Sequence, residues 1–131
     1  MPAYIYLCEM KTEQECLGRM LFGTSAGDNY SGVDVGDQVF LYNFELGILR
    51  GPYVATTTSI HNLEPDAWKK SRRRFPWQVR VDGGDSFKTP IRADDFVAYI
   101  QLSQTKVGLL PPTELTDEQT DQLLSAMADL Q

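Results

Sequence analysis

The sequence predicts an α+β domain: a β-sheet organised around one hairpin, with a point where it could bend towards barrel closure, and α-helices beside it. Three observations carry this. Val39 to Thr57 reads as a β-hairpin with Glu45-Leu46-Gly47 as its turn, and its first strand has apolar side chains on both faces: Val39 and Leu41 on one, Phe40, Tyr42 and Phe44 on the other. That is the pattern of a strand covered on both sides. Gly51-Pro52 interrupts the return strand. Proline withholds a ladder donor, so this point marks an edge or a bulge, and a bulge lets a strand bend enough for barrel closure. Thr12-Glu13-Gln14-Glu15 and Thr116-Asp117-Glu118-Gln119 have the spacing of capping boxes, which start helices.

The elements follow in order. Tyr4 to Met10 alternates Tyr4, Tyr6 and Cys8 against Ile5 and Leu7, a strand. A helix runs from the first capping box to about Met20. Phe22 to Gly36 is rich in Gly, Ser, Asp and Asn and reads as loop. Its glycines do not have P-loop spacing, and no Lys-Ser/Thr follows them. After the hairpin, Asn62 to Trp68 opens a short turn with Pro65 at a first helical position. Phe75, Trp77, Val79 and Val81 then alternate with Gln78 and Arg80, a further strand. Ala93 to Leu102 carries Phe96, Val97 and Ile100 at helical spacing. The second capping box starts an amphipathic helix with Leu123, Leu124, Met127 and Leu130 on one face.

A chain of 131 residues is read as one domain, residues 1–131, of ordinary globular composition: 42% hydrophobic and 23% charged. No apolar run approaches the ~18–20 residues that span a bilayer. Met1-Pro2-Ala3-Tyr4 lacks the basic start of a signal peptide. The expectation is a soluble, cytoplasmic protein with no membrane partner. Cys8 and Cys16 are the only cysteines and His61 the only histidine. Both thiols are expected buried and reduced, His61 is expected at the surface, and no zinc site or cofactor is implied.

The net charge of −6 opposes nucleic-acid binding by the whole surface. The charge is unevenly spread, however. Lys69, Lys70, Arg72, Arg73 and Arg74 place five of twelve basic residues within six positions. Guanidinium groups grip phosphate oxygens in bidentate fashion. Trp68 and Trp77 flank the run, and cations interleaved with aromatics suit single-stranded nucleic acid. Trp77 shares an alternating face with Phe75 and Val79, so it is expected in the core, leaving Trp68 as the exposed platform. Asn62, Glu64, Gln78 and Arg80 have the amide, carboxylate and guanidinium groups that read base edges. They serve equally to satisfy buried backbone, with Arg80 and Glu64 as an ion pair. No Ser-His-Asp order or metal-ligand cluster is evident, so no catalytic residue is assigned.

Four blocks in order, Phe22-Gly23 with Gly27, Val39 to Leu46 ending in Gly51, Asn62 to Ala67, and Phe75-Pro76-x-Gln78-Val79-Arg80, resemble the DCD (development and cell death) domain. Leu115-Thr116-x-Glu118-Gln119 with Leu123-Leu124 resembles its closing segment. Thr24-Ser25, Pro52 and Trp77 depart from the usual pattern. The family is similar to the PUA-like superfamily, with its YTH, EVE and ASCH domains. This implies a small, strongly bent β-barrel of PUA-like type with flanking α-helices, whose relatives include binders of RNA or a modified base. The expected function is a binding module for RNA or a modified nucleotide, without catalysis. Lys69, Lys70 and Arg72 to Arg74 would meet phosphates, and Trp68, Asn62, Gln78 and Arg80 would line a base pocket. The alternatives are an adaptor that docks a protein partner through the C-terminal helix or the basic loop, and an ASCH-like small hydrolase acting on nucleotides.

Overall fold

The computed structural model describes residues 2–69 and 75–131. In chain order the elements are β1 (Ala3–Cys8), α1 (Met10–Arg19), β2 (Leu21–Thr24), β3 (Gln38–Asn43), β4 (Ile48–Ala55), β5 (Ile60–His61), β6 (Trp77–Asp82), β7 (Ile91–Arg92), α2 (Ala93–Phe96), β8 (Ser103–Thr105), β9 (Gly108–Leu110), β10 (Glu114–Leu115) and α3 (Asp117–Asp129). A 3-10 turn, Gly27–Tyr30, follows β2.

The expected hairpin is β3–β4, and it is the centre of the sheet. β1 lies parallel to β3, with Tyr4 opposite Val39 and Tyr6 opposite Leu41. The Asn43 side chain builds the hairpin turn: its Oδ1 accepts the amides of Glu45 and Leu46, each at 3.1 Å. The alternation read from the sequence sorts the core into two layers. Tyr4, Tyr6, Val39 and Leu41 pack with Phe22, Tyr53, Val79, Trp68 and Cys16 on the α1 side. Ile5, Phe40, Tyr42 and Leu49 pack with Phe96, Ile100, Leu123 and Met127 on the α3 side.

The barrel expectation is corrected. The sheet runs β10–β1–β3–β4–β6–β2, and its end strands do not pair, so it stays open. The fold is α+β with an open mixed sheet and short helices. The Gly51-Pro52 irregularity is present: the β3–β4 register shifts between Val39 and Leu41. Its effect is to divide the far edge of β4 between two partners. Ile48 and Leu49 pair with β7, while Val54 and Ala55 pair with β6. Gly51, at φ +149°, is required there because a β-carbon would stand 2.6 Å from the Phe40 ring.

Other boundaries shift for local reasons. Helix α1 starts before the first predicted box, with Glu9 as N-cap, whose amide donates to Thr12 Oγ1 at 3.1 Å. Glu15 is thereby freed for other contacts. Strand β2 takes Phe22 to Thr24 out of the expected loop because it pairs with β6, Phe22 opposite Val79 and Gly23 opposite Gln78. The helix expected over 93–102 stops after Phe96; its N-cap, Arg92, makes no side-chain capping bond, and β-branched Val97 follows. The second capping box forms as read: Gln119 N donates to Thr116 Oγ1 (3.1 Å) and Thr116 N to Gln119 Oε1 (3.0 Å). Among the described residues no helix is long and apolar enough to cross a membrane.

Candidate functional site

The 62–69 loop is fixed to α1 and β6 by an ionic clasp. Glu64 accepts from Arg19 Nη1 and from Arg80 Nη2, both at 2.5 Å. Arg19 also meets Glu15 at 2.9 Å and Asp66 at 3.5 Å. Burial of Glu64 opposes its ionisation, but the hydrogen bonds from Arg80 and Arg19 outweigh that and hold its carboxyl below the usual range. Gln78 is buried beside the clasp. Its Oε1 accepts the Glu64 amide at 2.7 Å, and its Nε2 donates to the carbonyls of Glu64 and Phe75, each at 3.2 Å. Gln78 and Arg80 thus satisfy backbone and charge within the fold, the second of the two roles the sequence offered them.

The two tryptophans exchange their expected places. Trp68 is 1% exposed, so it is not a surface platform. Its backbone is left-handed (φ +57°), and its amide donates to Glu15 Oε2 at 2.6 Å. That turn carries the ring inward over Gly23, edge-to-face with Phe75 at 5.3 Å. Trp77 is 37% exposed. Its parity is that of Val79, but it stands at the strand end, where the neighbours are Gly27 and the exposed His61.

A cavity of about 120 Å³ opens at the ends of β1 and β2. Leu7, Cys8 and Glu9 form one wall, and Gly23, Thr24 and Ser25 the opposite one. Tyr30, Phe44 and Phe75 make it aromatic, and Val107, in the β8–β9 turn, closes its rim. Glu9, Thr24 and Ser25 are its polar edge. The Tyr30 hydroxyl faces away, donating to Ile5 O at 2.6 Å. Burial pushes the Cys8 thiol far above its usual range and that of Cys16 up to about 12, so both are neutral thiols. Both cysteines are buried and unbridged, as expected.

A second, shallower cleft of about 320 Å³ includes Asn62, Lys69 and Gln78. Phe75 lines both clefts. Of the residues singled out from sequence, Asn62, Lys69 and Gln78 therefore meet in one cleft, while Arg80 belongs to the clasp and Trp68 to the core. Lys70 and Arg72 to Arg74 lie outside the described residues. The cavity residues Glu9, Ser25, Phe44 and Phe75 were not anticipated as site residues. Among the described residues no group of three or more His, Cys, Asp or Glu side chains could hold a metal ion. On the apolar stripe of α3, Leu123 and Met127 are buried in the core, whereas Leu130 stays exposed.

The open α+β fold is similar to that of several solved structures. The YTH domain-containing protein mmi1, solved as an RNA complex, superposes with a TM-score of 0.66 at 11% identity, covering 96% of this chain and 80% of that one. The YTH domain of Zygosaccharomyces rouxii MRB1, solved with N6-methyladenosine RNA, gives 0.66 at 9% identity, covering 96% and 86%. A hypothetical protein from Leishmania major gives 0.69 at 13% identity, covering 99% and 96%. These likenesses are of fold. Residues 2–127 match the model of the development and cell death domain, and the chain belongs to that family. It is 37% identical over 84 residues to the B2 protein of Daucus carota, a match covering 60% of this chain and 41% of that protein. The DCD domain-containing protein NRP-B of Glycine max is 36% identical over 84 residues, 60% of this chain and 26% of that one. The match spans less than half the length of these relatives.

Proposed function

We propose that this domain is a non-catalytic binding module for single-stranded RNA or a nucleotide-like ligand, one of the wider PUA-like group of ligand-binding domains. The observation that carries this is the position of Phe75. It lines the aromatic cavity and the cleft holding Asn62 and Lys69, and in the chain it directly follows the cation run that ends at Arg74. A base enters the cavity between apolar and aromatic side chains. Its amino or ring N–H groups are accepted by the Glu9 carboxylate, and its acceptors are met by the Ser25 hydroxyl. Lys69, Lys70 and Arg72 to Arg74 hold the phosphates. The RNA and N6-methyladenosine complexes of the YTH neighbours support the ligand class.

The test is titration of a fluorescent single-stranded RNA at low and moderate salt, beside an Arg72/Arg73/Arg74→Ser variant. Affinity should fall linearly in log salt, and the variant should lose affinity and about two to three units of that slope. Absence of binding by the native protein at tens of micromolar (~10⁻⁵ M, the middle of the range of nonspecific nucleic-acid binding) overturns the reading.

A further inference from the structure

Trp77 is a large apolar ring left in contact with solvent, yet it is firmly seated. A β-carbon on Gly27 would stand 2.5 Å from its Cδ1, so only glycine lets the ring lie so close. His61, its partner on β5, meets it edge-to-face with centroids 4.9 Å apart. On the other side Trp77 pairs with Thr24, which rims the aromatic cavity. Neighbouring strands lie about 4.8 Å apart, so the ring is mounted one strand spacing from the cavity mouth. The cation run precedes it by three to eight positions in the sequence.

We infer that Trp77 is a second stacking platform, which takes the nucleobase next to the one in the cavity. The protein then reads two consecutive nucleotides of a single strand. This rests on the binding reading above and adds a residue to it. A pre-seated ring loses little conformational freedom on binding, and every base has a π-face to offer it. The competing role for Trp77 is purely structural: an aromatic cross-strand pair that holds β2, β6 and β5 together.

The test compares native protein with Trp77→Leu and Trp77→Phe, each titrated with a nucleoside monophosphate and with a labelled single-stranded RNA. Leucine keeps apolar packing without a π-face. Expected for Trp77→Leu is a loss of RNA affinity roughly ten-fold greater than its loss of monophosphate affinity, with phenylalanine restoring most of it. RNA should also quench the native intrinsic fluorescence but not that of Trp77→Leu, where the buried Trp68 alone remains. Equal loss for both ligands assigns Trp77 to the fold and overturns the inference. Unchanged RNA affinity overturns it too, while leaving the cavity reading intact. Native protein that binds neither ligand defeats the cavity reading, and the platform with it.

Discussion

The Trp68 ring lies over Gly23 so closely that a β-carbon at position 23 would stand 2.7 Å from its Cη2 and 2.9 Å from Phe75 Cβ. The glycine of β2 and the buried tryptophan are one packing unit, and that unit supports the aromatic wall of the cavity. Gly23→Ala must displace the ring or Phe75. We expect a loss of about 1–3 kcal/mol in urea unfolding, the usual range for overpacking a dense core.

Trp68 itself should be worth more. Its removal leaves a large void beside α1, and Trp68→Ala should cost about 3–5 kcal/mol, read as a fall in the urea midpoint without a change in slope. The two tryptophans should also separate by acrylamide quenching. Trp77→Phe, which retains only Trp68, should resist quencher, and Trp68→Phe should not.

The Glu64 clasp makes stability pH-dependent with a definite sign. Its carboxyl is held below the ordinary value of 4.5. A carboxyl depressed in the folded state contributes stability that is present above the unfolded value and is lost as pH falls through the folded one. Glu64→Gln should therefore be less stable than native protein near neutrality. The gap between the two should narrow once pH drops below 4.5. Urea midpoints measured across that interval check it; a gap that widens on acidification contradicts the clasp.

The α3 cap offers a local test. Thr116 Oγ1 accepts the Gln119 amide, and Thr120 Oγ1 returns a bond to Thr116 O at 2.9 Å. Thr116→Ala should cost about 0.5–2 kcal/mol by thermal unfolding, whereas Thr116→Ser should cost far less.

What the sequence revealed was mostly periodic or local. The two-faced pattern of Val39 to Phe44 gave the central hairpin because a covered strand must be apolar on both sides. Thr116 and Gln119 gave a helix start because the reciprocal bonds need only those two side chains. The misread features depend on distant partners. Alternation put Trp77 on the core face correctly, but where the core ends along β6 is set by Gly27 and His61. The basic neighbours of Trp68 suggested solvent, while its left-handed backbone and Gly23 bring it inside. The Gly51-Pro52 irregularity was legible; whether the sheet closed was not, since closure needs β10 and β2 to pair. Cavity residues Glu9, Ser25 and Phe75 meet only because β1, β2 and the segment before β6 end together, which no short motif announces.

The most direct test of the central claim is amide chemical-shift mapping of the isotope-labelled protein during titration with nucleoside monophosphates. Shifts concentrated at Cys8, Glu9, Gly23, Thr24, Ser25 and Phe75, and lost in Phe75→Ala, are the predicted result. A saturable shift pattern elsewhere, or no shift at millimolar ligand (~10⁻³ M, where even a 4 kcal/mol association registers), would contradict the assignment of this cavity as a base-binding site.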